Sequence, residues 1–286
     1  MIFDIHPHVL SADDDTYPLA PISGAVSGWA SSRPVTTEQL LSEMDAAGIA
    51  KAALVQASTA YGYDNSYVLD SAAAHPGRFV AVGCVDPLAA DVRTTVRELA
   101  GHPRLAGLRL FTTGSTMPGQ AGWLNDPAVF PFWETIGETG LPVCVQMKIS
   151  ALDQLTDILD RFPSAPVVLD HMAYPPIEPG REREAAESLR PLAKYPRLHL
   201  KLTMRNTEPL AAANAAAFLE PLVAEFGSER IAWGSNFPAA SQPMPELVAL
   251  VRAAIASLPQ RDQENILSGT AKTLYPALIS PADAAP

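Results

Sequence analysis

The chain has 286 residues, 48% hydrophobic and 18% charged, enough apolar material for a large core and too much for a disordered chain. Its 31 acidic residues against 20 basic ones give a formal charge of -11, a field that repels nucleic-acid phosphate and anionic membrane surfaces and argues against both as partners. An anionic substrate would then need a local cationic cluster inside one pocket.

In chain order, the N-terminal MIFDIHPHVL shows no basic stretch ahead of an apolar one, and no window reaches about 18 uncharged apolar residues. Neither a secretory signal nor a membrane span is expected, and the expected compartment is the cytoplasm. Short runs rich in Val, Ile and Leu then alternate with stretches of helical spacing. The predicted strands are Ile2–Val9, Lys51–Gln56, Phe79–Val85, Ala106–Phe111, Pro142–Met147, Pro166–His171, Arg197–Thr203 and Arg230–Asn236. The predicted helices between and after them are Glu38–Ala47, Asn65–Ala74, Ala89–Gly101, Asp126–Glu138, Leu152–Phe162, Arg183–Tyr195, Pro209–Phe226 and Met244–Leu258. Strictly alternating strands and helices imply parallel strands joined by crossovers. The expected fold class is α/β, a single (βα)8 TIM-type barrel over residues 1–279 with a short C-terminal tail, 280–286.

Several linkers repeat one phrase, with Pro or Gly closing a helix before the next strand: AHPGRF, GHPRLAG, ETGLPV, RFPSAPV, KYPRL and FGSERI. Proline cannot continue a helix and glycine takes the left-handed cap, so these are helix-to-strand turns on the face opposite a barrel's active site. The two cysteines, Cys84 and Cys144, each sit in a predicted strand and read as buried hydrophobes, with no disulfide scaffold implied.

A barrel of this type carries its chemistry at the C-terminal ends of the strands. Strand one ends Asp4-Ile5-His6-Pro7-His8, and alternation places Asp4, His6 and His8 on one side with Phe3 and Ile5 on the other. Two imidazoles so spaced can chelate a metal or grip one substrate oxygen. Strand six ends Leu169-Asp170-His171, and strand eight ends in WGSNFP, residues 233–238.

With these three elements the chain resembles the amidohydrolase superfamily, and more narrowly its "amidohydrolase 2" lactonase branch. The likeness runs from DIHPH through WGSNFP to the ILSGTAKTLYP ending. It implies that His6 and His8 are the substrate-gripping or metal-binding pair and that His171 polarises the substrate or moves protons. Two positions depart from the family pattern. Asn236 stands where the family places an aspartate that takes a proton from water, and Gln146 stands where metal-binding members have a histidine. An amide is a poor zinc ligand and no base near neutral pH. The expectation is therefore a site without a cofactor, in which His171 moves the proton and Asn236 has another catalytic role. Zinc or another divalent metal on His6 and His8 is the alternative. Alternation points Asp170 away from the pocket.

Positive charge also collects at strand ends. Arg109 in GLRLF, Lys148 with the parity of Gln146, and Lys201 in LKLTMR would be costly to bury without an anion. They are candidate substrate-binding residues, together with Gln146. The competing reading for Arg109 is a structural ion pair with a buried acid such as Asp86, and Arg205 reads as an exposed loop cation. The loop FTTGSTMPGQAGW, residues 111–123, adds Thr113 and Trp123 as candidate contacts, and Gln56 and Tyr61 follow from the end of strand two.

Together these readings describe a hydrolase of small molecules, opening a lactone or related acyl bond of a carboxylated, anionic substrate, with Arg109 on the carboxylate. The alternatives are a lactone isomerase with His171 as proton shuttle, a metal-dependent hydrolase or decarboxylase, and a non-catalytic ligand-binding barrel. Asp64 or Glu178 within reach of His171 would restore a carboxylate base. Association into a homo-oligomer is left open.

Overall fold

Runs of Val, Ile and Leu that are apolar on both faces can only be buried on both faces, and in the computed structural model, which describes residues 1–117 and 119–279, they form one ring. The strands are β1 (Ile2–Asp4), β2 (Ile49–Val55), β3 (Phe79–Cys84), β4 (Leu105–Phe111), β5 (Val143–Gln146), β6 (Val167–Leu169), β7 (Leu198–Thr203) and β8 (Ile231–Gly234). They pair in parallel and in sequence order from β1 to β8. The ring closes where Ile5 N–H donates to the Trp233 carbonyl at 3.2 Å and Asn236 N–H to the His6 carbonyl at 3.1 Å. A Cβ at Gly234 would lie 2.5 Å from His6 Cβ, so this close approach requires glycine. The fold is a (βα)8 barrel; the expected tail, 280–286, lies outside the described residues.

Alternation divides the apolar residues into two shells. Leu54, Leu108, Val145, Leu169, Leu200 and Trp233 face the helices. Phe3, Ala53, Val55, Val80, Val82, Cys144, Val168 and Ala232 fill the barrel, against Tyr275 and Leu278 from the C-terminal segment. The helices carry the expected stops. Thr36 and Gln39 form a capping box at the start of Thr37–Ala47, which ends at Gly48 with φ 69°. Phe130–Thr139 ends at Gly140 with φ 71°.

Four expectations are corrected. β1 stops at Asp4 instead of running to Val9, because the Asp4 carboxylate turns back to accept the amide of His6 at 2.9 Å, a local bond that competes with the ladder. The predicted helix 209–226 is two helices, Met204–Leu210 and Ala215–Phe226, the second capped by Asn214 on Ala217 N–H. The predicted helix 183–195 shortens to Glu182–Glu187 with a 3-10 turn at Arg190–Leu192, where Pro191 interrupts the pattern. Three helical stretches among the described residues went unpredicted: Gly28–Ser32 in the long loop after β1, Ser58–Tyr61 after β2, and the run from Gln260 to Leu274 that leads to the Tyr275 plug.

Candidate active site

A cavity of about 540 Å³ opens at the C-terminal ends of the strands, where a barrel of this kind places its chemistry. His8, Gln56, Arg109, Thr113, Gln146, Lys148, His171 and Asn236 all line it. Four other candidates, Lys201, Tyr61, Trp123 and His6, do not. Lys201 is completely buried below it. The Tyr61 hydroxyl accepts the Ser11 amide at 2.7 Å inside a satellite cluster, and Trp123 packs against the outer core. His6 is completely buried beneath the lining, its ring centroid 5.0 Å from those of both His8 and His171.

The histidines reach the site through broken alternation. After β6 the backbone enters a left-handed turn, with φ of 55°, 52°, 59° and 56° from His171 through Tyr174, a conformation costing about 1–2 kcal/mol per L-residue. Without it His171 would point out of the barrel. Val168 and Asp170 follow the strand's ordinary alternation and face inward, which corrects the expectation that Asp170 points away. The turn is held by Asn206 Nδ2 donating to the His171 carbonyl at 3.0 Å, and Asn206 Oδ1 in turn accepts the Thr203 amide at 3.0 Å. Asn236 is likewise left-handed, with φ 62°, a region asparagine tolerates better than most residues.

Below the cavity β4, β6 and β7 contribute a buried charge network. Asp170 Oδ2 accepts from Arg109 Nε at 2.8 Å and Oδ1 pairs with Lys201 Nζ at 2.7 Å. The buried acid opposite Arg109 is thus Asp170 and not Asp86, whose Oδ1 caps the Leu88 amide. Burial alone would raise the Asp170 carboxyl, but Lys201 and Arg109 outweigh it and hold the group well below the usual carboxylate range. Lys201 Nζ also donates to His6 Nδ1 at 2.9 Å and to Cys144 Sγ at 3.2 Å. Arg109 Nη2 donates to Gln146 Oε1 at 2.7 Å, and Gln146 Nε2 donates to the Tyr174 hydroxyl oxygen at 2.6 Å.

Hydrogen bonding sets the tautomers. His8 Nδ1 lies 2.7 Å from the Val55 carbonyl, an acceptor only, so Nδ1 carries the proton and Nε2 presents a lone pair. The Trp29 indole stacks on this ring at 5.2 Å. His6 Nδ1 faces an ammonium, a donor only, so its proton lies on Nε2, which is buried without a partner among the described residues. His171 Nδ1 lies 2.7 Å from the Thr203 hydroxyl. That hydroxyl can pass its own hydrogen to Asn206 Oδ1 at 3.5 Å, leaving Nε2 as the basic nitrogen. Burial, reinforced by Arg109, pulls His8 down to about 3. Burial also holds His6 and His171 well below the ordinary value, with Lys201 and Arg109 adding to the effect. All three rings are neutral near pH 7.

Among the described residues no Asp or Glu lines the cavity, whereas Arg109, Lys148 and Arg205 do. Asp64 caps Ser66 and Glu178 pairs with Arg181, so neither supplies the cavity with a carboxylate. Trp29, Tyr174 and Arg205 were not among the candidates. Tyr174 had a usable signal, an aromatic hydroxyl three residues after the strand-end His171. Trp29 had none, because its loop has no periodicity tying it to β1.

Donor atoms of His6, Asp170 and His171 lie within 4.8 Å of one another, close enough to hold a metal ion. The charge network sits in the same place. Asp170 already meets two cations, and the lone pair of His6 Nδ1 is taken by Lys201.

The family profile described as Amidohydrolase matches residues 3–277. An L-fucono-1,5-lactonase of Burkholderia ambifaria is 28% identical over 209 residues, 72% of this chain and 69% of that protein. Among solved structures, a Pseudomonas putida protein designated a 2-pyrone-4,6-dicarboxylic acid hydrolase superposes with a TM-score of 0.78 at 24% identity, covering 98% of each chain. A zinc-bound Burkholderia multivorans amidohydrolase superposes with a TM-score of 0.71 at 20% identity, covering 96% of this chain and 99% of that one.

Proposed function

The chain belongs to the amidohydrolase family, and on that premise we propose that it is a small-molecule hydrolase that opens a lactone carrying a carboxylate. The observation that carries this reading is the composition of the cavity: two neutral imidazoles and three cations, with no acid among the described lining residues. The names of its relatives, a sugar lactonase and a pyrone dicarboxylate hydrolase, support the same bond type.

Arg205 and Lys148 hold the carboxylate at the wall, where their charges reverse the field of an acidic protein. The lactone carbonyl rests against Arg109, whose remaining N–H groups have no partner among the described residues, and the Tyr174 hydroxyl. That hydroxyl accepts from Gln146 and so keeps its own hydrogen to donate, and burial raises its pKa, so it stays protonated. Donors placed where the oxyanion develops are commonly the largest contribution to such a reaction. His8 Nε2 accepts a hydrogen bond from the attacking water and orients it. His171 takes the water proton and returns it to the ring oxygen as the C–O bond breaks, giving a hydroxy acid.

The donor set does not suit a divalent metal. A catalytic zinc uses about three charged or imidazole ligands with lone pairs to spare, whereas here Asp170 is neutralised twice, His6 is protonated on Nε2, and Asn236 supplies an amide. The reaction is metal-independent in this reading.

The test is proton release and product analysis in ¹⁸O-water on matched five- and six-membered lactones with and without a carboxylate. One proton and one ¹⁸O per ring opened, on the carboxylated series, is the expected result. A rearranged lactone with neither would refute hydrolysis and identify an isomerase.

A further inference from the structure

Lys201 is the least expected residue in the barrel. Its side chain has no exposed surface, and an isolated ammonium there would be prohibitively costly. The ammonium has three hydrogens and three partners. Two are hydrogen bonds, to His6 Nδ1 at 2.9 Å and Cys144 Sγ at 3.2 Å, and the third is the ion pair with Asp170 at 2.7 Å. Arg109 faces the other oxygen of the same carboxylate, so two cations share this one anion.

We propose that Lys201 is a positioning residue that acts as a built-in replacement for a metal ion: it fixes His6 as the Nε2–H tautomer and occupies the space between His6 and Asp170 that a divalent cation would need. An imidazole's two nitrogens lie on opposite edges of the ring, so holding Nδ1 on Lys201 turns the Nε2–H away from the network. That Nε2–H is buried and has no acceptor among the described residues, and buried donors are nearly always satisfied. The His6 ring is 5.0 Å from each of two rings that line the cavity, so the oxygen held by His8 and His171, the attacking water of the lactone reading, is the acceptor it awaits. Lys201 thereby decides two things at once: the pair at the end of β1 divides into one donor, His6, and one acceptor, His8, and the cluster that could ligate zinc is closed to it.

The proposal concerns the site of the lactone reading but is tested without turnover. In the full chain labelled with ¹⁵N-histidine, long-range ¹H–¹⁵N correlations report each ring's tautomer, and the His6 signals are those lost in His6→Gln. A neutral, Nε2-protonated His6 from pH 6 to 8 is expected; an Nδ1-protonated or cationic ring overturns the assignment. Equilibrium dialysis against micromolar zinc followed by elemental analysis gives the second readout. Wild type should retain well under one equivalent, and Lys201→Met, which keeps the stem and removes the charge, should retain about one. Stoichiometric zinc on wild type, or none on a folded Lys201→Met, overturns the replacement role. If Lys201→Met does not fold, the tautomer and the wild-type zinc content decide the matter. A protein inactive on every lactone but with the expected tautomer and zinc behaviour would overturn the lactone reading and leave Lys201 as assigned.

Discussion

Arg205→Met isolates the anion-binding function of the cavity from the stability of its floor. Arg205 lines the cavity and is exposed, and it has no ion-pair partner among the described residues. Its loss should therefore change folding stability by no more than about 0.5 kcal/mol. A charge-assisted hydrogen bond contributes about 1.5–3 kcal/mol, and each 1.4 kcal/mol or so is tenfold in kcat/KM, so the range is roughly 10- to 150-fold. Solvent screening at an exposed wall favours the lower end, about tenfold. The measurement is kcat/KM of wild type and variant on a carboxylated lactone and on its methyl ester, with thermal melts alongside. The acid should lose about tenfold and the ester little, at unchanged melting temperature. Arg109→Met provides the contrast. It leaves Asp170 with Lys201 alone, and breaking a buried pair costs about 3–5 kcal/mol, so activity and stability should fall together. Equal loss on acid and ester in Arg205→Met, or no loss on either, would refute the assignment of a carboxylate to this wall.

His171→Asn removes the imidazole assigned to proton transfer and should lower kcat by about 10² to 10⁴; single-turnover kinetics showing most of the rate retained would move the search to His8. Asn236→Asp places a carboxylate at the end of β8. Because an imidazole already serves as base, turnover should stay within the same order, whereas a gain of about 10² or more would show that the natural site lacks water activation. The pH dependence of stability follows from His8, which titrates near 3 in the fold against an ordinary 6.5. As pH falls the unfolded chain takes up this proton first, so the contribution is complete above about 6.5 and is lost progressively toward 3. At pH 5 the loss is about 2 kcal/mol from His8, and His6 and His171 act in the same direction. Urea unfolding at pH 7.5 and 5.0 measures it, and equal stabilities would contradict neutral buried rings. For the same reason the acid limb of kcat/KM, read in short assays, should fall below pH 5.

The eight strands, their order and the barrel were legible in the sequence because parallel strands buried on both faces must be continuous apolar runs, and because Pro and Gly mark the turns between helix and strand. The strand-end residues His8, Arg109, Gln146 and His171 could be picked out for the same local reason: polar residues at the end of an apolar run have a known place in a barrel. What the sequence could not supply was everything that depends on where alternation stops. The Asp4 turn ends β1 early and brings His6 beneath the cavity lining, and four left-handed residues after β6 bring His171 and Tyr174 to the cavity while Asp170 faces inward. Both are held by groups distant in sequence, Ser235 N–H on Asp4 at 2.8 Å and Asn206 on the His171 carbonyl. The pairing of Asp170 with Arg109 and Lys201 joins β4, β6 and β7, separated by 61 and 31 positions. Desolvation sets which buried charges must meet, and only the closed barrel determines which of them can.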